Sequence, residues 1–190
     1  MNVIFLDNDG VICLYNNWGG RAKKWSKYRS ANPGFSPNLK DAPVEIRFDN
    51  FDEKAIRILN HILKETNAEI VVSSDWKLHA TLDELGDYYE QQGIIKRPIA
   101  ITPNLGDFDP DTNDLFVWKR WMERKRIVEI EKYLKDNPEI TNWVAIDDLN
   151  MSPQANGGHG LKNFVLTPRS NEGIKQSGIK EQILKLLITS

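Results

Sequence analysis

The chain is expected to fold as an α/β domain: a five-stranded parallel sheet with helices on both faces and a small cap inserted after the first strand. Two patterns point that way. Five short apolar runs are spread along the sequence, and stretches with helical periodicity lie between them. A third observation locates the cap. Residues 14–49 are rich in Gly, Asn and Pro, show no sustained periodicity and are too many for an ordinary connection.

The runs are VIFL (3–6), EIVVS (69–73), IAIT (99–102), WVAID (143–147) and NFVLT (163–167). Each is too short for a helix and is rich in β-branched residues. Successive positions are apolar, as when helices cover both faces of a sheet. In DEKAIRILNHILKE (52–65), Ala55, Ile58, Leu59, Ile62 and Leu63 share one helical face. RKRIVEIEKYLKDN (124–137) repeats the pattern with Ile127, Ile130, Tyr133 and Leu134, and Pro138 follows. HATLDELGDYYEQQ (79–92) and IKEQILKLLI (179–188) read as two further helices. Residues 103–120 read as a second irregular insertion and 150–162 as a Gly-rich loop.

The 190 residues suffice for one domain with a sizeable core, and 40% hydrophobic with 27% charged residues is a soluble composition. A net charge of −2 argues against indiscriminate polyanion binding by the whole molecule, though not against a local basic patch. Cys13 is the only cysteine, which excludes an intramolecular disulfide and disfavours a cysteine zinc site. No apolar run approaches the roughly 20 residues that span a bilayer. Asp7 also breaks the first apolar run too early for a signal peptide, so the expected location is cytoplasmic.

In a parallel α/β sheet, ligands bind beyond the carboxyl ends of the strands. The polar residues that end these runs should therefore gather at one rim: Asp7 and Asp9, then Ser73 and Ser74, then Asp147 and Asp148. Carboxylates crowded together repel and call for a cation. An all-oxygen set without clustered His or Cys suits Mg²⁺. Of the histidines, His61 borders the apolar face of its helix, and none of the three has metal-ligand spacing.

One carboxylate can attack phosphorus while a second donates and then accepts a proton. Gly10 lets the backbone turn tightly beside a phosphate. Ser73 offers a hydroxyl and a backbone N–H to phosphate oxygens, and a cation from residues 124–126 offsets developing charge. Singly, each piece has a plain alternative: a turn, a helix cap or a solvated basic face. Their order, each at a strand end or near a helix start, carries the signal.

FLDNDGVI, IVVSSDW, the basic start of RIVEIEKYL, and VAIDD together resemble the four motifs of the haloacid dehalogenase (HAD) superfamily of phosphohydrolases. VVSSDW, RIVEIEKYLKDNP and FVLTPRSNEGI are similar to the HAD-like domain of Swiss-army-knife RNA repair proteins. The resemblance implies a HAD-like Rossmannoid core and a Mg²⁺-dependent phosphoric monoester hydrolase working through an aspartyl phosphate. It makes Asp7 the nucleophile and a Mg²⁺ ligand, and Asp9 the acid–base with a backbone carbonyl on the metal. Ser73 would bind phosphate, with Ser74 and Gly10 beside it, and Asp147 and Asp148 would hold Mg²⁺. Arg126 falls at the basic position, with Lys125 one residue away; the superfamily more often uses Lys there. Asn8 points away from the chemistry by strand alternation.

Substrate expectations come from the insertion. Arg21, Lys23, Lys24, Lys27, Arg29, Lys40 and Arg47 are interleaved with Trp18, Trp25, Tyr28 and Phe35. Basic groups bind phosphates and aromatic rings stack on bases, so a nucleotide or nucleic-acid end is a candidate partner, as is another small phosphate ester. GDFDPDTNDLF (106–116) lacks the Gly and terminal Glu of an EF-hand and reads as a solvated acidic loop. The rival reading is a non-catalytic module that binds phosphorylated nucleic-acid ends. Possession of both Asp7 and Asp9 weighs against it.

Overall fold

Each of the five apolar runs is a strand. A computed structural model describes residues 1–15, 20–34, 38–105 and 113–188. The strands are β1 (Asn2–Leu6), β2 (Glu69–Val72), β3 (Pro98–Ile101), β4 (Asn142–Asp147) and β5 (Phe164–Leu166). They form one parallel sheet in the order β3-β2-β1-β4-β5. The chain works outward from β1 on one side, then crosses to β4 on the other. The crevice at the carboxyl ends of β1 and β4 is therefore the topological switch point.

Helices cover both faces because alternate residues of each strand point to opposite sides. Ile4 and Leu6 of β1 pack with Leu59 and Ile62 of α3 (Glu53–Thr66), Leu85 of α4 (Leu82–Gln91) and Ile183 of α6 (Ile179–Ile188). Val3 and Phe5 pack on the other side with Ile127 and Ile130 of α5 (Leu115–Asp136). In the numbering used here, α1 is Gly20–Ala31 and α2 is Val44–Arg47. Local signals set the helix starts. Asp52 caps α3 by accepting from the N–H groups of Lys54 and Ala55, and Thr81 with Glu84 forms a capping box on α4.

One expectation needs correction. Residues 115–120 are not irregular: they open α5, which Asp114 caps, so Arg126 lies within that helix and not at its start. The reason lies in its first turn. Leu115, Phe116, Val117 and Trp118 are apolar yet exposed, so no one-sided pattern marks them as helical. The insertion after β1 carries more order than its composition suggested, with α1, a 3₁₀ turn at Leu39–Asp41, and α2. His61 is exposed on α3 and takes no part in the core. Trp18, Phe35 and residues 106–112 of the acidic stretch lie outside the described residues. Among the described residues, no helix is long and apolar enough to cross a membrane.

Candidate active site

The strand register builds the site. Leu6 pairs with Val72 on one side and Ile146 on the other, so Asp7, Ser73 and Asp147 are the next residues in three adjacent rows. The ladder extends one step through them: Asp7 N–H donates to Ile146 O (3.0 Å), and Ser73 N–H donates to Leu6 O (2.8 Å). Carboxylate oxygens of Asp7, Asp147 and Asp148 all lie within 4.8 Å of one another. Asp7 and Asp147 are buried, and Asp148 is half-buried.

One cation sits among them. Arg126, 4% exposed, donates through Nη1 to Asp147 Oδ2 (2.8 Å) and the carbonyl of Ser73 (2.7 Å), and the same nitrogen is ion-paired with Asp7 Oδ1 at 2.9 Å. Its Nη2 faces Asp75 Oδ2 at 3.4 Å. Lys125 turns along the adjoining helix face, with Nζ 5.4 Å from the Trp121 ring and 3.8 Å from Glu129 Oε1.

Burial raises the Asp7 carboxyl well above the usual carboxylate range, and neighbouring Asp147 adds to it; Arg126 opposes both. Burial likewise raises Asp147 despite Arg126. Asp148 is raised by burial too, against the hydrogen bond Ser170 Oγ donates to its Oδ2 (2.8 Å). A site that holds three carboxyl groups against one guanidinium is short of positive charge.

Asp9 stands apart from the trio. It opens onto a cleft of about 520 Å³ walled by Gly10, Cys13, Tyr15, Arg21, Asp49 and Trp76, among others. Asp9 is exposed to the cleft, yet the surrounding wall partly desolvates its carboxylate and raises it, while the Trp76 indole N–H lowers it through a 2.8 Å bond to Oδ2; Arg21 also lowers it. Trp76 is fixed by stacking on Phe48, with centroids 4.0 Å apart and planes 7° from parallel. Trp76 is 2% exposed, among the core residues. It packs, but it also orients Asp9, through a bond joining residues that are 67 positions apart.

Gly10 has φ of +73°, and a β-carbon there would come within 2.2 Å of Asp148 Oδ2. Both the backbone conformation and the close approach require glycine. Thr167 Oγ1 pins the turn by donating to Gly10 O (3.1 Å). Ser73 is 1% exposed and its hydroxyl has no partner among the described residues. The sheet already engages its backbone N–H, which leaves only the hydroxyl for a ligand. Ser74 Oγ accepts from Trp76 N–H (3.5 Å) and caps the 3₁₀ turn Asp75–Leu78. Asn8 faces inward from the rim and accepts from the Tyr89 hydroxyl.

Asp49 had no sequence motif to mark it; Arg21 was one of several basic residues of the insertion, and Ser170 lies within FVLTPRSNEGI without standing out there. They reach the site through the insertion after β1 and the loop after β5. Asp49 Oδ1 is buried without a partner among the described residues.

A family model for the HAD domain in Swiss Army Knife RNA repair proteins matches residues 3–178. The chain belongs to that family. No curated protein and no solved structure matches it significantly. The parallel sheet order and the buried acidic trio agree with a HAD core and a HAD active site. In this HAD domain, the match runs through β1, α5 and β4, the elements that bring Asp7, Arg126 and Asp147 together.

Proposed function

We propose that this HAD domain is a Mg²⁺-dependent phosphatase that removes phosphate monoesters through an aspartyl phosphate on Asp7, acting on nucleic-acid ends. The observation that carries this reading is Arg126 bonded at once to Asp7 and Asp147, beside the unpartnered Ser73 hydroxyl. That hydroxyl is a buried donor awaiting an acceptor, and a phosphate oxygen is the acceptor that also suits the guanidinium. The RNA-repair family points to nucleic-acid ends as the substrate class.

The donor set fits Mg²⁺, being all carboxylate oxygen and short of positive charge. Asp7, Asp147 and Asp148 would hold the ion, with the Asp9 carbonyl as the fourth protein ligand. Bound there, the metal would neutralise the phosphate and the crowded carboxylates.

The protein's own groups then divide the work. An oxygen of Asp7 attacks phosphorus, and the bond to the leaving oxygen breaks as Asp9 gives that oxygen its proton. Asp9, now ionised, takes a proton from water. The water oxygen attacks phosphorus, the Asp7–phosphorus bond breaks, and inorganic phosphate leaves with Asp7 restored. Arg126 and the Ser73 hydroxyl hold the non-bridging oxygens throughout, with Ser74 and Gly10 shaping the backbone around them. Lys125, turned towards Trp121, adds charge only at longer range.

The test is phosphate release from 5′- and 3′-phosphorylated oligonucleotides, mononucleotides and an aryl phosphate, with Mg²⁺ or with chelator. Release that depends on Mg²⁺ and falls at least about 10³-fold in Asp7→Asn is expected. Retention of phosphorylated ends with no release from any substrate would reassign the site to recognition alone.

Trp76→Phe keeps the ring on Phe48 but removes the donor to Asp9. Turnover of an alkyl phosphate, which needs a proton on its leaving oxygen, should fall about tenfold. Turnover of p-nitrophenyl phosphate should change little, because its leaving group departs unprotonated. Equal losses on both would show that Trp76 serves structure alone.

A further inference from the structure

We propose that the outer face of α1 binds the strand leading away from the phosphate under attack, so that single-stranded ends are favoured over free nucleotides. The proposal rests on the phosphatase reading only for where the strand terminates. Two adjoining hollows mark the path. The site cleft is walled at one edge by Gly20, Arg21 and Ala22, the first turn of α1. A second hollow of about 530 Å³ begins at the same Ala22 and continues past Trp25, Ser26, Arg29 and Ser30. These positions recur every three or four residues, so they form one face of the helix.

The composition of α1 has no account in packing. None of its residues is buried. Arg21, Lys23, Lys24, Lys27 and Arg29 are basic and no residue of the helix is acidic, although the whole chain carries a net charge of −2. Lys23 and Lys27 lie one turn apart, outside the face that lines the hollow, a like-charge spacing that opposes helix formation. Lys24 works differently: its Nζ reaches inward to Phe48 O (3.0 Å) and Asn50 Oδ1 (2.7 Å), pinning the helix beside the cleft. The other four cations are exposed.

A polyanion relieves the repulsion among them, and Trp25, with Arg29 6.0 Å from its ring, adds a π surface within the hollow. The helix has no apolar face to insert in a membrane, so a lipid surface matches it less well. At about 1.5 Å per residue, α1 offers a track of about 18 Å, enough for a few nucleotides.

The experiment compares wild type with Lys23→Gln/Lys27→Gln/Arg29→Gln on a phosphorylated hexanucleotide and on p-nitrophenyl phosphate, over a range of salt concentrations. The ratio of kcat/KM for the hexamer to that for the aryl phosphate should fall at least tenfold. The log–log salt slope for the hexamer should flatten by about 2, since each lost phosphate contact on a single strand contributes about 0.7. An unchanged ratio and slope would overturn the proposal, as would equal wild-type preference for mononucleotide and hexamer. If wild type releases phosphate from nothing, the reading of the cleft fails and the track is judged separately, by fluorescence anisotropy of a labelled hexanucleotide. Binding at least tenfold weaker in the triple variant supports the track. Equal binding, or tighter binding to phosphatidylserine vesicles than to the hexamer, overturns it.

Discussion

Arg126→Ala should lower phosphate release by about 10²- to 10³-fold, the usual cost of losing one preorganised donor at a developing negative charge. The loss is expected in kcat more than in KM, because the guanidinium is held by Asp7, Asp147 and the Ser73 carbonyl before substrate arrives. Without Mg²⁺ the same substitution should lower stability by about 3–5 kcal/mol, since it leaves buried carboxyl groups with no counter-charge. Added Mg²⁺ should restore part of that stability and none of the activity. Arg126→Lys separates charge from geometry. An ammonium keeps the charge, but it sits on a shorter side chain and has no second nitrogen to face Asp75, so intermediate activity is expected. Full activity in Arg126→Lys would show that position and charge suffice. Denaturant melts and steady-state kinetics on the same preparations read both effects.

The second large effect lies behind the site. Lys77 Nζ is 2.6 Å from Glu129 Oε2, and the two side chains are 2% and 1% exposed. Lys77 also donates to Thr102 Oγ1 (2.9 Å), and Glu129 Oε1 accepts from Leu105 N–H (3.1 Å). Burial lowers the Lys77 ammonium from its usual value, with Glu129 opposing, so the charge persists because of its partner. Glu129→Gln should cost about 3–5 kcal/mol in a denaturant melt. Lys77→Met should cost less, because Lys125 lies 3.8 Å from Glu129 and still faces it. The double variant Lys77→Met/Glu129→Leu should recover most of the loss, because apolar groups of similar volume need no counter-charge. A double variant as unstable as Glu129→Gln would instead assign the cost to the lost bonds to Thr102 and Leu105.

The sheet and the acidic rim were legible because both are local. Unbroken apolar runs mark strands buried on two faces, and the residue just after each run is at the rim by topology alone. Asp7, Ser73 and Asp147 needed no further information to be brought together. Less local facts were not legible. The first turns of α5 and all of α1 bury too little to impose a periodic pattern. Trp76 met Asp9 through folding, not spacing. The choice between Arg126 and Lys125 is a matter of helix phase: Met122, Arg126 and Ile130 share the buried stripe, whereas Lys125 lies at its edge. The engagement of Ser73 N–H by Leu6 also depends on register, which single strands do not state.

β1 is the middle strand of five, and the rows that carry Asp7, Ser73 and Asp147 are set by the ladder on either side of it. Their separations are therefore those of neighbouring strands, about 4.8 Å per row, and owe little to the loops. The insertion after β1 and the loop after β5, which wall the cleft, hang from this frame without setting its dimensions. Changes of length or charge in those segments would reshape the wall of the cleft while leaving the spacing of Asp7, Ser73 and Asp147 as the ladder sets it.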